Sequence, residues 1–260
     1  MAVTNFIQQI WSKKIQDDLE LKCKLVDNCL RDYEGDCKYA QSVKILGVGE
    51  PTIGAYDGTK DITIEDMSDK GQILTIDQAN YFAFYVDDID QAQSVPGLKE
   101  KYQEKAVHGL AVARDTYVAT LIASAANATP IEAMTEEGVK KAVDAAIVAL
   151  RERNFDEDGV IEMTPAFYNL FKNHLITLST NNPELIRKGV VGMYDNFECI
   201  MSNNLKTPCD IRGKKAIAFA GQINEVEAMR AEKRFKDIVR GLDTFGAKVI
   251  DENRIQKLTA

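Results

Sequence analysis

LKEKYQEKAVHGLAVARDTYVATLIASAA, residues 98–126, is the longest run in the sequence with helical spacing and no proline. Leu98, Tyr102, Ala106, Leu110, Ala113, Tyr117 and Leu121 recur at steps of four and three, which puts one apolar stripe along a single helix face. At 1.5 Å of rise per residue such a helix is roughly 40 Å long, about the width of a domain. Pro96 and Gly97 mark its start, and Asn127 and Pro130 its end. The spacing predicts a spine against which other elements pack.

The chain has 260 residues, enough to bury a sizeable core in one large domain or two small ones. Its formal charge of −8 argues against sequence-independent nucleic-acid binding, which needs a basic face to release counterions. No window approaches the ~18 apolar residues of a membrane span, and the opening MAVTNFIQQIW lacks the basic-then-apolar layout of a signal peptide. A soluble, cytosolic chain is expected. The five cysteines, Cys23, Cys29, Cys37, Cys199 and Cys209, form no C-x-x-C pair, so reduced and mostly packed thiols are expected in place of a metal site.

Upstream of the spine, Ile7, Trp11, Ile15, Leu19, Cys23, Val26 and Leu30 line one stripe of an amphipathic arm over 6–30, with Lys13, Lys14, Gln16, Asp17 and Asp18 opposite. Such an apolar edge has to be covered, by the chain's own body or by a neighbour. From Val43 to Val86 short alternating segments are separated by Gly47, Gly49, Pro51, Gly54, Gly58 and Gly71, which predicts strands, most simply a long antiparallel hairpin. A two-stranded ribbon without a core is marginal in water and needs a partner surface. Gly47-Val48-Gly49 is followed by neither a Lys-Ser/Thr pair nor a helix pattern, which argues against a phosphate loop. Asp87, Asp88 and Asp90 could hold a hard cation through their oxygens, but they lack the glycine and distal glutamate of a calcium loop. A solvated strand end is the simpler reading of that cluster.

Downstream, Thr135 is placed as an N-cap with Glu136 and Glu137 in the first turn, and Val139, Val143, Ile147 and Leu150 supply an apolar face. A turn at 156–159, a strand at 160–163 and a helix opening at Thr164-Pro165 follow. Strands are expected over 189–193 and 198–202 around the turn Tyr194-Asp195-Asn196, with a buried strand over 216–220. The tail from Gln222 to Ile255 reads as short strands broken by charge, ending in a glycine turn and a strand over 241–250. It lacks a core of its own, so its simplest home is against the spine.

The two histidines, His108 and His174, have no carboxylate or cysteine at a spacing that suggests a pair. No serine stands in a G-x-S-x-G elbow, and no H-E-x-x-H motif occurs. The sequence therefore gives an enzyme reading no support, and it points to no catalytic, cofactor or metal residue.

The opening FIQQIW with its arm, then RDYEGD, then ILTIDQANYFAFYVDDIDQAQS, resembles the major capsid proteins of tailed phages with the Hong Kong 97-type fold. GVVGMYDNFECIMSNNL, KKAIAFAGQINEVEAMR and FKDIVRGLDTFGAKVI are similar to the closing strands of that family, in order along nearly the whole chain. The resemblance implies an α+β fold with an N-terminal arm over 1–36, an E-loop over 37–84, a P-domain over 85–127 that contains the spine, an A-domain over 128–220, and a second P-domain part over 221–260. It also implies a coat protein that assembles with itself into pentamers and hexamers of an icosahedral head around double-stranded DNA, in the bacterial host cytoplasm.

On that reading Phe6, Ile7, Trp11, Ile15 and Leu19 of the arm and Tyr56 and Asp57 of the E-loop are the expected inter-subunit contacts. The arm starts within six residues of Met1, which favours a separate scaffolding protein, with a portal as a further partner. Some relatives cross-link an E-loop lysine to an asparagine of a neighbour. Lys44, Lys60 and Lys70 lie in the right region, but nothing identifies an acceptor, so no cross-link is expected. An encapsulin-type compartment, and a metal-dependent hydrolase using Asp87, Asp88 and Asp90, are the alternatives.

Overall fold

Helix α1, Leu98–Ser124, has the extent its spacing predicts, in a computed structural model that describes residues 23–33, 42–45, 71–87, 98–178, 191–230 and 236–259. Its buried face is formed by Val107, Leu110, Ala111, Arg114, Asp115, Val118, Ala119 and Ile122. The expected stripe runs along the edge of that face. Leu110 is buried, Tyr117 and Leu121 are half-buried, and Tyr102 is 45% exposed. The true face is turned by about one residue because Arg114 and Asp115 point inward, each into buried hydrogen bonds.

Strands β1 (Ser42–Ile45) and β2 (Gln72–Thr75) pair antiparallel in the register Ser42↔Thr75 to Ile45↔Gln72, the stem of the expected hairpin. Phe82 and Phe84 do not belong to that hairpin. They lie on β3 (Gln78–Asp87), which pairs with a strand from the far end of the chain, β10. Among the described residues six strands intervene in sequence: β4 (Ala128–Pro130), β5 (Gly159–Met163), β6 (Met193–Tyr194), β7 (Phe197–Met201), β8 (Cys209–Gly213) and β9 (Ile217–Arg230). After them come β10 itself (Lys236–Val249) and β11 (Ile255–Thr259).

The tail is thus built from long strands. β9 and β10 are 14 residues each, and with β3 they form an antiparallel sheet in the order β3-β10-β9. Residues 216–220, expected as a separate strand, are the entry to β9. Gly241 marks no turn: it sits inside β10 opposite Phe82, whose ring occupies the space of a side chain, 2.5 Å from where a Cβ would stand. The inner face of this sheet carries Phe219, Val239, Phe245 and Ala247 onto α1, with Leu25, Val26 and Cys29 completing the core. On the outer face the hairpin stem is rooted at one end, where Ile45 and Leu74 pack on Ala218 and Ala220.

The second sheet has six strands in the order β4-β11-β8-β5-β7-β6. Helix α2 (Glu136–Arg151) and helix α3 (Pro165–Leu178) pack on one face of it, through Val139, Val143, Ile147, Leu150, Phe167 and Phe171 onto Ile161, Met163, Cys209 and Ile211. Thr135 caps α2 as expected, its side chain accepting from Gly138 N at 3.2 Å. Asp195 and Asn196 carry φ of 48° and 71°, the left-handed pair that a two-residue turn between β6 and β7 requires. Beyond the tail, β11 lies between β4 and β8 in this second sheet, while its Ile255 still packs into the core around α1.

Candidate assembly surfaces

Phe6, Ile7, Trp11, Ile15, Leu19, Tyr56 and Asp57 all lie outside the described residues, as do Lys60, Lys70, Cys37, Asp88 and Asp90. What the structure describes is how the segments carrying those residues are anchored, and which part of the body stays open.

Over residues 23–33, the described end of the amphipathic stripe, the chain's own body covers the apolar edge: Cys23, Leu25, Val26 and Cys29 are buried. The segment forms a single 3-10 turn over Val26–Asn28 where helical spacing would continue a helix. The reason is that its backbone is claimed by side chains of other elements. The Asp115 carboxylate of α1 accepts from the backbone N–H of Lys24 at 3.1 Å, Leu25 at 3.1 Å and Val26 at 3.3 Å. Burial nevertheless pushes the Asp115 acid above its ordinary range, against the pull of those three donors.

On the far side of the turn, Arg212 of β8 donates to Leu25 O and Asn28 O, both at 2.8 Å, and contacts Cys29 Sγ at 3.6 Å. Its remaining donors form a fork on Glu162 of β5, at 3.0 and 2.7 Å, with both side chains wholly buried. Burial works against the Arg212 charge, but Glu162, then Cys29, more than offset it, so the pKa is raised and the guanidinium stays charged. Leu30 completes the anchor: its N–H donates to Ile217 O, and its carbonyl accepts from Phe219 N. One short stretch is therefore fixed by α1, β8 and β9.

The hairpin is rooted just as firmly. Gln72 Nε2 donates to Ile250 O at 3.0 Å, and the backbone of Thr75 crosses β10 at Gly246, where an added Cβ would stand 2.1 Å from Thr75 O. Only glycine admits that crossing. Beyond the root, the outer face of the three-stranded sheet is open. Tyr81 is 80% exposed and Tyr85 64%, and their cross-strand neighbours on β10 are Leu242, 41% exposed, and Ile238, itself opposite Met229 on β9. Directly opposed residues share a face, so these side chains lie on one exposed surface beside the hairpin, as two apolar cross-strand pairs with Arg240, opposite Ala83, between them. The sequence reading missed this surface, which assigned Tyr81 to the ribbon. Its signal was the alternation Tyr81, Ala83, Tyr85 against Phe82 and Phe84.

The two histidines stand on different helices. His108 is exposed on α1 and His174 half-buried on α3. Among the described residues no three His, Cys, Asp or Glu side chains stand together in a way that could hold a metal. Cys23, Cys29 and Cys209 are buried free thiols and Cys199 a half-buried one. Burial pushes Cys23 and Cys199 up to about 12 and Cys29 up to about 11, so they stay protonated and unreactive. No described helix is long and apolar enough to cross a membrane.

A long helix bedded on a three-stranded antiparallel sheet, a hairpin rooted on that sheet's far face, and a six-stranded sheet backed by two helices define an α+β architecture, the Hong Kong 97-type fold of phage capsid proteins. The chain is similar to a solved structure from Mycobacterium phage Che8, with a TM-score of 0.77 and 23% identity over 91% of this chain and 90% of that one. It is also similar to the capsid structure of the cyanophage P-SCSP1u, with a TM-score of 0.73 and 16% identity over 89% and 86%. A virus-like particle from Pyrococcus furiosus shares the fold at a TM-score of 0.61 and 14% identity, over 97% and 99%. No family model and no curated protein matches the sequence. The likeness is therefore one of fold.

Proposed function

We propose that this chain is the major capsid protein of a tailed phage, without enzymatic activity, whose copies close into pentamers and hexamers of an icosahedral head. The observation that carries this reading is the match of fold over nine-tenths of both chains to a phage structure. Exposed Tyr81, Tyr85 and Leu242 on a sheet face beside the root of a hairpin support it, since large apolar groups left open on a monomer become interface in a closed shell.

In this reading residues 1–36 are the arm, 37–84 the E-loop, 85–127 and 221–260 the P-domain and 128–220 the A-domain, with β11 tying the last of the P-domain into the sheet of the A-domain. Phe6, Ile7, Trp11, Ile15, Leu19, Tyr56 and Asp57 then lie against neighbouring subunits. The buried anchor at 24–30 and the glycine crossing at Gly246 transmit load from those contacts into the body. A chain of net charge −8 suits a shell that encloses double-stranded DNA without gripping it. Assembly in the host cytoplasm, on a separate scaffolding protein and around a portal, completes the proposal.

Negative-stain microscopy of the expressed chain, alone and with any scaffolding protein found encoded beside it, tests this. Closed shells are expected, and small monodisperse oligomers under every assembly condition overturn the reading. The likeness to the Pyrococcus furiosus particle favours a second reading, a compartment without a genome. Shells that incorporate a portal at one vertex and package DNA exclude it. Deleting residues up to Leu19 is expected to leave a soluble subunit that forms no stable shells, and unchanged particle yield refutes the role given to the arm.

A further inference from the structure

Two carboxylates face each other inside the six-stranded sheet. Glu162 on β5 and Asp210 on β8 are direct cross-strand partners, and both are fully buried. One guanidinium serves this site. Arg212 has five N–H donors, and all five are committed: two to Glu162, one each to Leu25 O and Asn28 O, and one to Cys29 Sγ. None is left for Asp210. Among the described residues Asp210 Oδ1 takes only a long bond from Thr207 Oγ1, at 3.4 Å, and the buried Oδ2 has no donor at all.

The other charged and titratable groups around the site are engaged elsewhere. Lys257, opposite Asp210 on β11, donates its ammonium to Ala123 O at 2.7 Å. Lys24 on the N-terminal segment donates to Met201 O, Asp115 on α1 holds the backbone of 24–26, and Cys209 faces the helices on the other side of the sheet. An ionised Asp210 would be a second buried anion with no donor free to receive it, which is strongly unfavourable. A proton on Oδ2, donated to Glu162, removes that cost and supplies the missing bond.

We propose that Asp210 is the neutral member of an acid pair with Glu162, and that this proton latches residues 24–29 onto the body. When Asp210 ionises, a second anion draws on the same five donors, and those it can take are the ones on Leu25 O, Asn28 O and Cys29 Sγ. The root of the N-terminal segment then opens and admits water. Burial first, and then the Glu162 charge, holds the Asp210 acid well above the ordinary carboxylate range, with Arg212 pulling the other way. Because the closed state holds the proton more tightly than the open one, closure is fully favoured below the ordinary carboxylate range. It weakens as pH rises toward the folded pKa of Asp210. In that window the open fraction grows about tenfold per pH unit for a single linked proton.

The test uses the purified full chain and Asp210→Asn, whose amide donates to Glu162 but cannot titrate, and it does not depend on whether the chain forms shells. Cys29 and Cys209 are followed by alkylation and peptide mass spectrometry between about pH 5 and pH 8, below the range in which the buried thiols ionise. The ratio of Cys29 labelling in the wild type to that in Asp210→Asn is expected to climb by about tenfold per pH unit, with Cys209 unchanged. The ratio cancels Asp115, whose titration both proteins share. Parallel Cys29 profiles overturn the latch, and so does joint exposure of Cys29 and Cys209, which is global unfolding. The wild type alone supplies a second readout that holds even where the variant fails to fold. Its infrared spectrum near neutral pH is expected to show the C=O stretch of a buried protonated carboxyl that shifts on isotope labelling of aspartate, and absence of that band overturns the proposal.

Discussion

Removing the Asp243 carboxylate should be among the most damaging single changes in the described body. Asp243 on β10 is fully buried and accepts a fork from Arg114 of α1, with Nε to Oδ2 at 3.0 Å and Nη2 to Oδ1 at 2.5 Å. The guanidinium lies 5.6 Å from the centre of the Phe219 ring and 5.9 Å from that of Phe245. Asp243→Ala leaves this cation buried with two aromatic faces and no anion. Breaking a buried pair from one side costs about 3–5 kcal/mol. At about 2–4 °C per kcal/mol for a chain of this size, the unassembled subunit should melt roughly 6–20 °C lower.

The controlling experiment is the pair Arg114→Met with Asp243→Leu, which removes both charges and fills the site with apolar side chains. A buried ion pair replaced by apolar side chains is close to neutral in stability, so the double variant should recover to within about 1–2 kcal/mol of the wild type. Urea denaturation of the subunit measures all three proteins. A loss below about 1 kcal/mol in Asp243→Ala, or a double variant no better than the single one, refutes the account in which an unpaired charge is the cost.

Three further outcomes are expected. Thr135→Ala removes the acceptor for Gly138 N and should cost about 1 kcal/mol in thermal melting, recovered by Thr135→Ser. Gly246→Ala forces a Cβ to within 2.1 Å of Thr75 O and should lose about 1–3 kcal/mol, with hydrogen exchange rising first across the β1–β2 stem. Tyr81→Ser with Tyr85→Ser should leave subunit stability within about 0.5 kcal/mol while particle yield falls sharply; unchanged yield would show that the open sheet face is no interface.

Much of the architecture can be read directly from the residues. The punctuation around 98–126 gives the length of α1, Thr135 and Thr164-Pro165 give the starts of α2 and α3, and the glycine-separated alternation after Val43 gives the hairpin stem. The misreadings share one physical cause, charge and glycine placed inside. Arg114 and Asp115 look like a solvent face and rotate the expected stripe by a residue. CDIRG over 209–213 carries two ionisable side chains in five residues, yet every residue is buried, because Arg212 finds its partner 50 positions away on Glu162, the cross-strand neighbour of Asp210. Gly241 and Gly246 imitate turns within β10, where they make room for the Phe82 ring and the Thr75 backbone. Pairings of this kind are properties of tertiary proximity that local spacing does not encode. The expected contacts of the arm and E-loop rest on amphipathic patterning and on the resemblance.

The place of β11 imposes an order on synthesis. Its residues 255–259 fill the slot between β4 and β8, and Ile255 and Leu258 seal the two opposite faces of the same sheet. A nascent chain that has not yet reached Ile255 leaves β8 with a bare edge and both cores unclosed. Closure of the subunit therefore waits for residues 255–259. A ribosome that stalls upstream of this point releases a product with an unsealed sheet, which is a substrate for proteases and a poor building block for any ordered lattice.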